Sequence, residues 1–178
     1  MSRPDAIHET LIKRGFVYTL DIYTPDGELV THDTWTEAQN RIPQSGIDYF
    51  ANVALLGQLA PISSWFVGMY ENNYVPDSNT SAADLPGNAG ETVAYSQASR
   101  PEWQKNYDGV GVISNLAARA EFSFTQSKVL YGGFLVSNSA KGGNSGTLLS
   151  IARFPSPRQI DAGYTGQLGV AITLVSTN

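Results

Sequence analysis

The chain has no cysteine and few charged residues, and both facts limit the classes of protein to which it can belong. With no cysteine among 178 residues, disulfide frameworks, thiolate zinc sites, iron–sulfur clusters and cysteine nucleophiles are all excluded. Charged residues make up 15% of the chain, below the ~25% of an ordinary soluble domain, which excludes a charged disordered tail. No apolar run approaches the ~20 residues that a membrane-spanning helix needs, so we expect no membrane partner.

The charge distribution also argues against nucleic acid. The formal net charge is −5, and the 11 lysine and arginine residues do not cluster. A nucleic-acid-binding surface needs a concentrated positive footprint for the phosphate backbone. We therefore expect no nucleic-acid partner.

What the chain does have is glycine, proline and short alternating segments. With 17 Gly and 9 Pro, it favours short strands and turns over long helices. Residues 16–24 alternate apolar and polar side chains, and the turn-forming Pro25-Asp26-Gly27-Glu28 leads into a second strand, so 16–35 is predicted to be a β-hairpin. Further strands are predicted within 63–70, 91–95, 119–125, 129–137, 148–154 and 165–176.

Strands of this length at a spacing of ~8–12 residues favour a mainly β fold, a β-sandwich of the jelly-roll type. One short helix is predicted at about 45–57, where apolar residues recur at helical spacing and Gly57 ends the run. Its apolar stripe is expected to lie against a sheet. Residues 1–15 read as an N-terminal arm, and 16–178 as a single β-rich domain.

Several loops carry expectations of their own. Residues 71–90 form a long polar loop of the kind that is functional or disordered, and 137–147 is expected to be flexible. Residues 155–158, PSPR, are expected to form a turn. In the predicted turn at 100–103, Trp103 is expected to pack inward, with Arg100 and Glu102 at its rim.

Catalytic and metal-binding patterns are weak. His32 is the available base for a serine triad with Ser145, but the surrounding spacing does not fit a nucleophile elbow. Asp77, Asp84 and Glu91 border the long loop, where solvated carboxylates are a simpler interpretation than a Ca²⁺ site. We expect no enzyme activity, no metal and no cofactor.

Two further possibilities stay open from the residues alone. Glu102 is a candidate acid for a glycosidase, because paired carboxylates can come from any two strands. Tyrosines near strand ends and loops could stack sugars, form an interface or fill the core; they are Tyr70, Tyr74, Tyr95, Tyr107 and Tyr164. Of these, Tyr70, Tyr74 and Tyr107 are the candidates for a recognition loop.

Turn and core residues recur in a fixed order over residues 40–176. They are NRIP at 40–43, WFVGMY at 65–70, NYVP at 73–76, ASRPEW at 98–103, AEFSF at 120–124, YGGFLVS at 131–137, SAKG at 139–142, GTLLS at 146–150 and ARF at 152–154. In this order they resemble a family of small virion-associated structural proteins of tailed bacteriophages. The arm and the hairpin fall outside the matched region.

The resemblance implies a capsid decoration (cement) protein on the outer surface of the virion, with no chemistry of its own. The implied partners are the major capsid protein and further copies of this chain in a homotrimer, which suits three-fold positions on a shell. We expect the arm to bind the shell through Ile7, Leu11 and Ile12, together with Trp35 of the hairpin. The alternative is a head-fibre or tail adhesin module that binds a host glycan or protein.

Overall fold

The computed structural model describes residues 15–35 and 40–174, and these form a mainly β protein with two antiparallel sheets. Strand accounts for 42% and helix for 13%, as the turn-rich composition predicts. The elements are β1 (Phe16–Tyr23), β2 (Leu29–Trp35), β3 (Asn40–Arg41), α1 (Gln44–Phe50), β4 (Phe66–Tyr70), β5 (Asn106–Tyr107), β6 (Val112–Ser114), β7 (Ala120–Ser123), β8 (Lys128–Val136), β9 (Leu148–Ile160) and β10 (Thr165–Thr173).

The two sheets have different sizes. The six-stranded sheet runs in the order β2-β1-β10-β6-β5, and β7 pairs with β10 beside that path. The four-stranded sheet runs β3-β9-β8-β4. Two antiparallel sheets are consistent with the predicted β-sandwich, and jelly-roll connectivity stays a prediction.

The predicted N-terminal hairpin is confirmed. β1 and β2 pair in antiparallel register from Tyr18 opposite Trp35 to Tyr23 opposite Leu29. The turn closes with the Gly27 amide donating to the Thr24 carbonyl at 3.0 Å. Gly27 has a φ of 85°, a conformation that glycine adopts without steric cost.

One hydrophobic core joins the two sheets. Phe16, Tyr18, Leu20 and Ile22 of β1 are almost completely buried. They share one hydrophobic cluster with residues of the four-stranded sheet, among them Val67, Met69 and Leu135. Trp103 belongs to the same cluster and donates from its indole nitrogen to the Val170 carbonyl at 3.0 Å, so the inward packing predicted for it is confirmed.

The long loop at 71–90 is folded. It contains a short 3-10 turn, Ala82–Asp84, followed by a wide helical turn, Leu85–Ala89. Leu85 is fully buried in a second apolar cluster with Phe134 and Ile151. The disordered alternative for this loop is therefore wrong, because these apolar anchors fix the segment against the four-stranded sheet, and the functional alternative stays a prediction.

One local prediction needs correction, and two short strands were missed. Residues 155–158 do not end a strand, because β9 runs on from Leu148 to Ile160. Arg153 lies opposite Gly132 of β8, but the next pair toward the end of β9 is Arg158 opposite Leu130. Pro155 and Pro157 therefore lie in a large bulge, where the backbone has no partner strand and the missing proline N–H costs no hydrogen bond. Short strands β5 and β6, which pair with each other, were not predicted at all.

Gly132 is one of the two glycines of the four-stranded sheet where the backbone passes closest to its neighbours. A Cβ there would lie 2.2 Å from the Ala152 carbonyl oxygen and 2.3 Å from the Tyr70 ring. We predict that Gly132→Ala lowers the free energy of unfolding by ~1–3 kcal/mol through overpacking. Gly87→Ala is the matched control, because nothing lies within 4 Å of its added Cβ. Urea unfolding measures both, and equal midpoints would contradict the prediction.

Candidate functional site

An exposed apolar surface lies on α1 and the segment that follows it. The helix continues from Phe50 as a π-helical turn, Ala51–Leu55. The chain then changes direction at Gly57, whose φ is 61°. This agrees with the predicted helix at about 45–57. Leu55 is 83% exposed and Leu56 is 59% exposed. The other large exposed apolar side chains of this surface are Ile47, Phe50 and Leu59.

The expectation that the apolar stripe faces a sheet is therefore wrong, and the reason is local packing. Gly46 is the buried residue of α1, and a Cβ there would lie 2.7 Å from the Leu149 carbonyl oxygen. The Ser45 hydroxyl donates to the Leu148 carbonyl at 2.9 Å. The helix backbone thus rests on β9 through its small residues, which turns Ile47 and Phe50 away from the sheet.

Tyr49 is the aromatic side chain of α1 that does pack inward. Its ring meets Trp65 edge to face at a centroid distance of 5.1 Å. Its hydroxyl accepts a 2.8 Å hydrogen bond from the Ile62 amide, which holds the returning chain against the helix. The surface is consequently presented by a fixed element.

An apolar groove of about 240 Å³ adjoins this surface. Phe50, Val53 and Ala54 form one side, and Phe16 and Leu174, at the two ends of the described chain, contribute to the other. Lys105 supplies the charge in the lining. A contiguous exposed apolar area of this kind is typical of protein-interaction sites.

The arm and hairpin residues chosen from the sequence cannot be compared with this surface. Ile7, Leu11 and Ile12 lie outside the described residues. Trp35 is the last residue of β2 and its backbone pairs with Tyr18, but its side chain is also outside what the structure describes.

The three tyrosines chosen for recognition do not form one exposed surface: the rings of Tyr70 and Tyr74 meet edge to face at a centroid distance of 6.5 Å, whereas Tyr107 lies on the other sheet. Tyr70 is fully buried, and its hydroxyl donates to the Ala152 carbonyl at 3.2 Å, so its selection needs correction: it closes the core under the long loop. The same burial raises the pKa of its hydroxyl above the ordinary value. Tyr74 is half-buried and hydrogen-bonded to Thr80 at 2.9 Å. Tyr107 is 57% exposed on β5.

A buried ion pair is the main feature that the sequence did not reveal. Arg100 and Glu91 have fully buried side chains and form two hydrogen bonds, at 2.8 and 2.6 Å. Arg100 also donates to the Asn138 and Gly143 carbonyls at 2.8 and 2.7 Å. The expected position of Arg100 at a rim is wrong, and residues 137–147 are anchored by these bonds.

The candidate catalytic residues are engaged elsewhere. His32 contacts Asp21 through Nδ1 at 2.5 Å, and Asp21 also pairs with Arg119. His32 lies on β2 of the six-stranded sheet, whereas Ser145 lies in the loop between strands of the other sheet and accepts from Asn138 at 2.7 Å.

Glu102 is exposed and forms an isolated bridge with Phe66 at the edge of β4. It lines neither the apolar groove nor the open polar depression that contains Glu71 and Lys128. Its position gives the glycosidase hypothesis no support.

The loop carboxylates have separate structural partners. Asp77 accepts from the Asn79 amide, and Asp84 caps the short helical turn through Ser81. Hydrogen bonding from the Ser81 backbone holds the pKa of Asp84 below its ordinary value. Among the described residues, no group of three or more His, Cys, Asp or Glu is placed to hold a metal ion.

Comparison of the sequence with protein families and with curated proteins finds no relative of this chain. Within residues 15–35 and 40–174, no helix is long and apolar enough to cross a membrane. The resemblance to phage virion proteins therefore stays a prediction.

The buried ion pair gives a test of what holds the loops. Arg100→Met should lower the free energy of unfolding by ~3–5 kcal/mol, because it leaves the Glu91 carboxylate buried without its partner. Lys128→Met is the control: it breaks the partly exposed pair with Glu71, at 2.9 Å, and should cost no more than ~1 kcal/mol. Thermal and denaturant unfolding measure both. Similar losses in the two variants would contradict the assignment.

Proposed function

We propose that this protein is a non-enzymatic capsid decoration protein of a tailed bacteriophage, which binds the assembled head from outside and stabilises it. The partner is the major capsid protein, and the protein acts as a homotrimer. The observation that carries the proposal is the exposed apolar surface of α1 and its continuation, with Leu55 and Leu56 outermost. Burying such a surface against another protein is favourable by roughly 25 cal/mol per Å².

The rest of the molecule suits a passive clamp. A cement protein needs a rigid body, and the loops at 71–90 and 137–147 are held by apolar anchors and by the Arg100–Glu91 pair. Because the chain has no cysteine, its stability comes from the hydrophobic core and not from disulfides. Repeated copies on a lattice multiply a modest affinity, so one small apolar surface per copy is sufficient.

Leu56→Asp tests the surface directly. We expect the variant to bind the assembled heads about tenfold more weakly, because a charge replaces a contact worth more than ~1 kcal/mol at the interface. Val75→Asp is the matched control, since Leu56 and Val75 are each 59% exposed but lie on different segments. Co-sedimentation with heads of the encoding phage measures binding, and free coat subunits should not bind.

The cementing role has its own test. Heads produced without the protein should break at lower temperature and in lower salt than complete heads. If both kinds of head survive equally, the protein does not stabilise the shell, whatever it binds.

The second candidate, an adhesin module, is favoured by the tip of the β5–β6 hairpin. Val110 is 87% exposed there, beside the exposed Tyr107. Asp108 accepts from the amides of Val110, Gly111 and Val112 at 2.8–2.9 Å. These hydrogen bonds, of which the one from the Val112 amide has the largest effect, hold the pKa of Asp108 below its ordinary value. They also fix the shape of the tip.

For an adhesin, the purified protein should bind host cells or a glycan array. Tyr107→Ala should then abolish that signal, because it removes the exposed ring available for stacking. Val129→Ala, on an exposed residue of the opposite sheet, should leave the signal unchanged. Head binding without any cell binding would reject this candidate.

A further inference from the structure

The apolar groove has an occupant within reach in the same chain. We propose that residues 1–14 dock into the groove of their own molecule, with Leu11 and Ile12 covering Val53 and Ala54. This inference concerns the free protein and holds whether or not the protein binds a phage head.

The position of the chain end is the first argument. Phe16, which lines the groove, is separated from residue 14 by Gly15 alone. An extended chain spans at most ~3.6 Å per residue, so Leu11 lies within about 18 Å of Phe16. Residues 1–14 are therefore tethered one residue from a lining residue, and their length is sufficient for Leu11 to reach the groove.

The chemistry of the segment is the second argument. Its aliphatic residues, Ile7, Leu11 and Ile12, fall at helical spacing, so a helix would present them on one side. A helix of ~12 residues is marginal by itself and needs a partner to be stable.

We expect the groove to bind residues 1–14 of the same chain rather than those of a second copy, for an entropic reason. A short tether holds its binding segment at a local concentration in the millimolar range. An arm from another molecule reaches that concentration only in concentrated solution or within the proposed homotrimer, and even there the arm of the same chain has the shorter tether, because only Gly15 separates it from Phe16 of its own groove. The groove and the arm of one chain therefore meet first.

The absence of cysteine makes a disulfide test clean. The double variant Leu11→Cys with Ala54→Cys, oxidised in dilute solution, should form a disulfide within one molecule, because a disulfide needs Cα atoms within ~7 Å. The control pair is Leu11→Cys with Leu55→Cys. Leu55 is the next residue but lies outside the groove lining and is 83% exposed, so it should be bridged far more slowly.

Each other outcome overturns the proposal. A disulfide between two molecules would assign the groove to a second copy. Equal oxidation of the two pairs, or no oxidation of either, would show that the arm does not select the groove. Mass measurement under non-reducing conditions separates these results.

A second measurement avoids any disulfide constraint. The thiol of Ala54→Cys should react with a water-soluble maleimide about tenfold faster when Leu11→Asp is added, because the docked arm no longer protects it. Thr10→Asp is the control and should not change the rate. Both arm substitutions precede β1 in the sequence and introduce the same charge one residue apart, so a general effect of that charge on folding would change both rates. An unchanged rate with Leu11→Asp would refute the docking.

Discussion

The fold of the loops depends on one buried pair of charges, Arg100 and Glu91. Neither side chain is exposed to solvent, and removing two charges from water costs several kcal/mol per ion unless every polar atom finds a partner. Here Arg100 bonds the carboxylate twice and reaches two carbonyls of residues 137–147, while the Gly142 amide donates to Glu91 at 3.1 Å. The Arg100 guanidinium also lies over the Phe134 ring, at 5.4 Å from its centroid. The pair thereby joins the end of the long loop, the turn before Trp103 and the loop between β8 and β9.

The loops of the protein are held in place by contacts with the core, and several of its large exposed apolar side chains lie on α1 and the segment that follows it. The segments that look mobile from composition, 71–90 and 137–147, are tied into the core. The helix that looks like a covering element instead carries exposed Leu55 and Leu56. Because an apolar surface on a rigid element loses little conformational entropy on binding, this arrangement favours recognition by shape and burial over induced fit.

The part of the fold that follows from short-range patterns was predictable. Alternation from Phe16 to Ile22 fixed one face of β1, and the Asp26-Gly27 turn fixed the partner strand. Other features depend on contacts between residues far apart in the chain, and no local pattern encodes them. Arg100 is buried only because Glu91 and the carbonyl of Asn138 meet it, and Pro155 and Pro157 continue a strand only because β8 skips past them. The outward face of α1 likewise follows from the fit of Gly46 against β9, so the candidate site could not be placed from the sequence, although the helix itself was predicted.

The geometry of the chain ends links the groove to the proposed shell contact. Phe16 pairs with Ile172 at the end of the six-stranded sheet, so the first described strand starts where the last one finishes. Both ends therefore meet the groove, close to the outward face of α1. An arm attached at this point can cover the apolar lining in the free protein, and a shell that offers a better apolar partner can displace it. The free energy of binding to the shell would then include the difference between these two contacts at the groove, while Leu55 and Leu56, which lie outside the groove lining, would be exposed for the shell in both states.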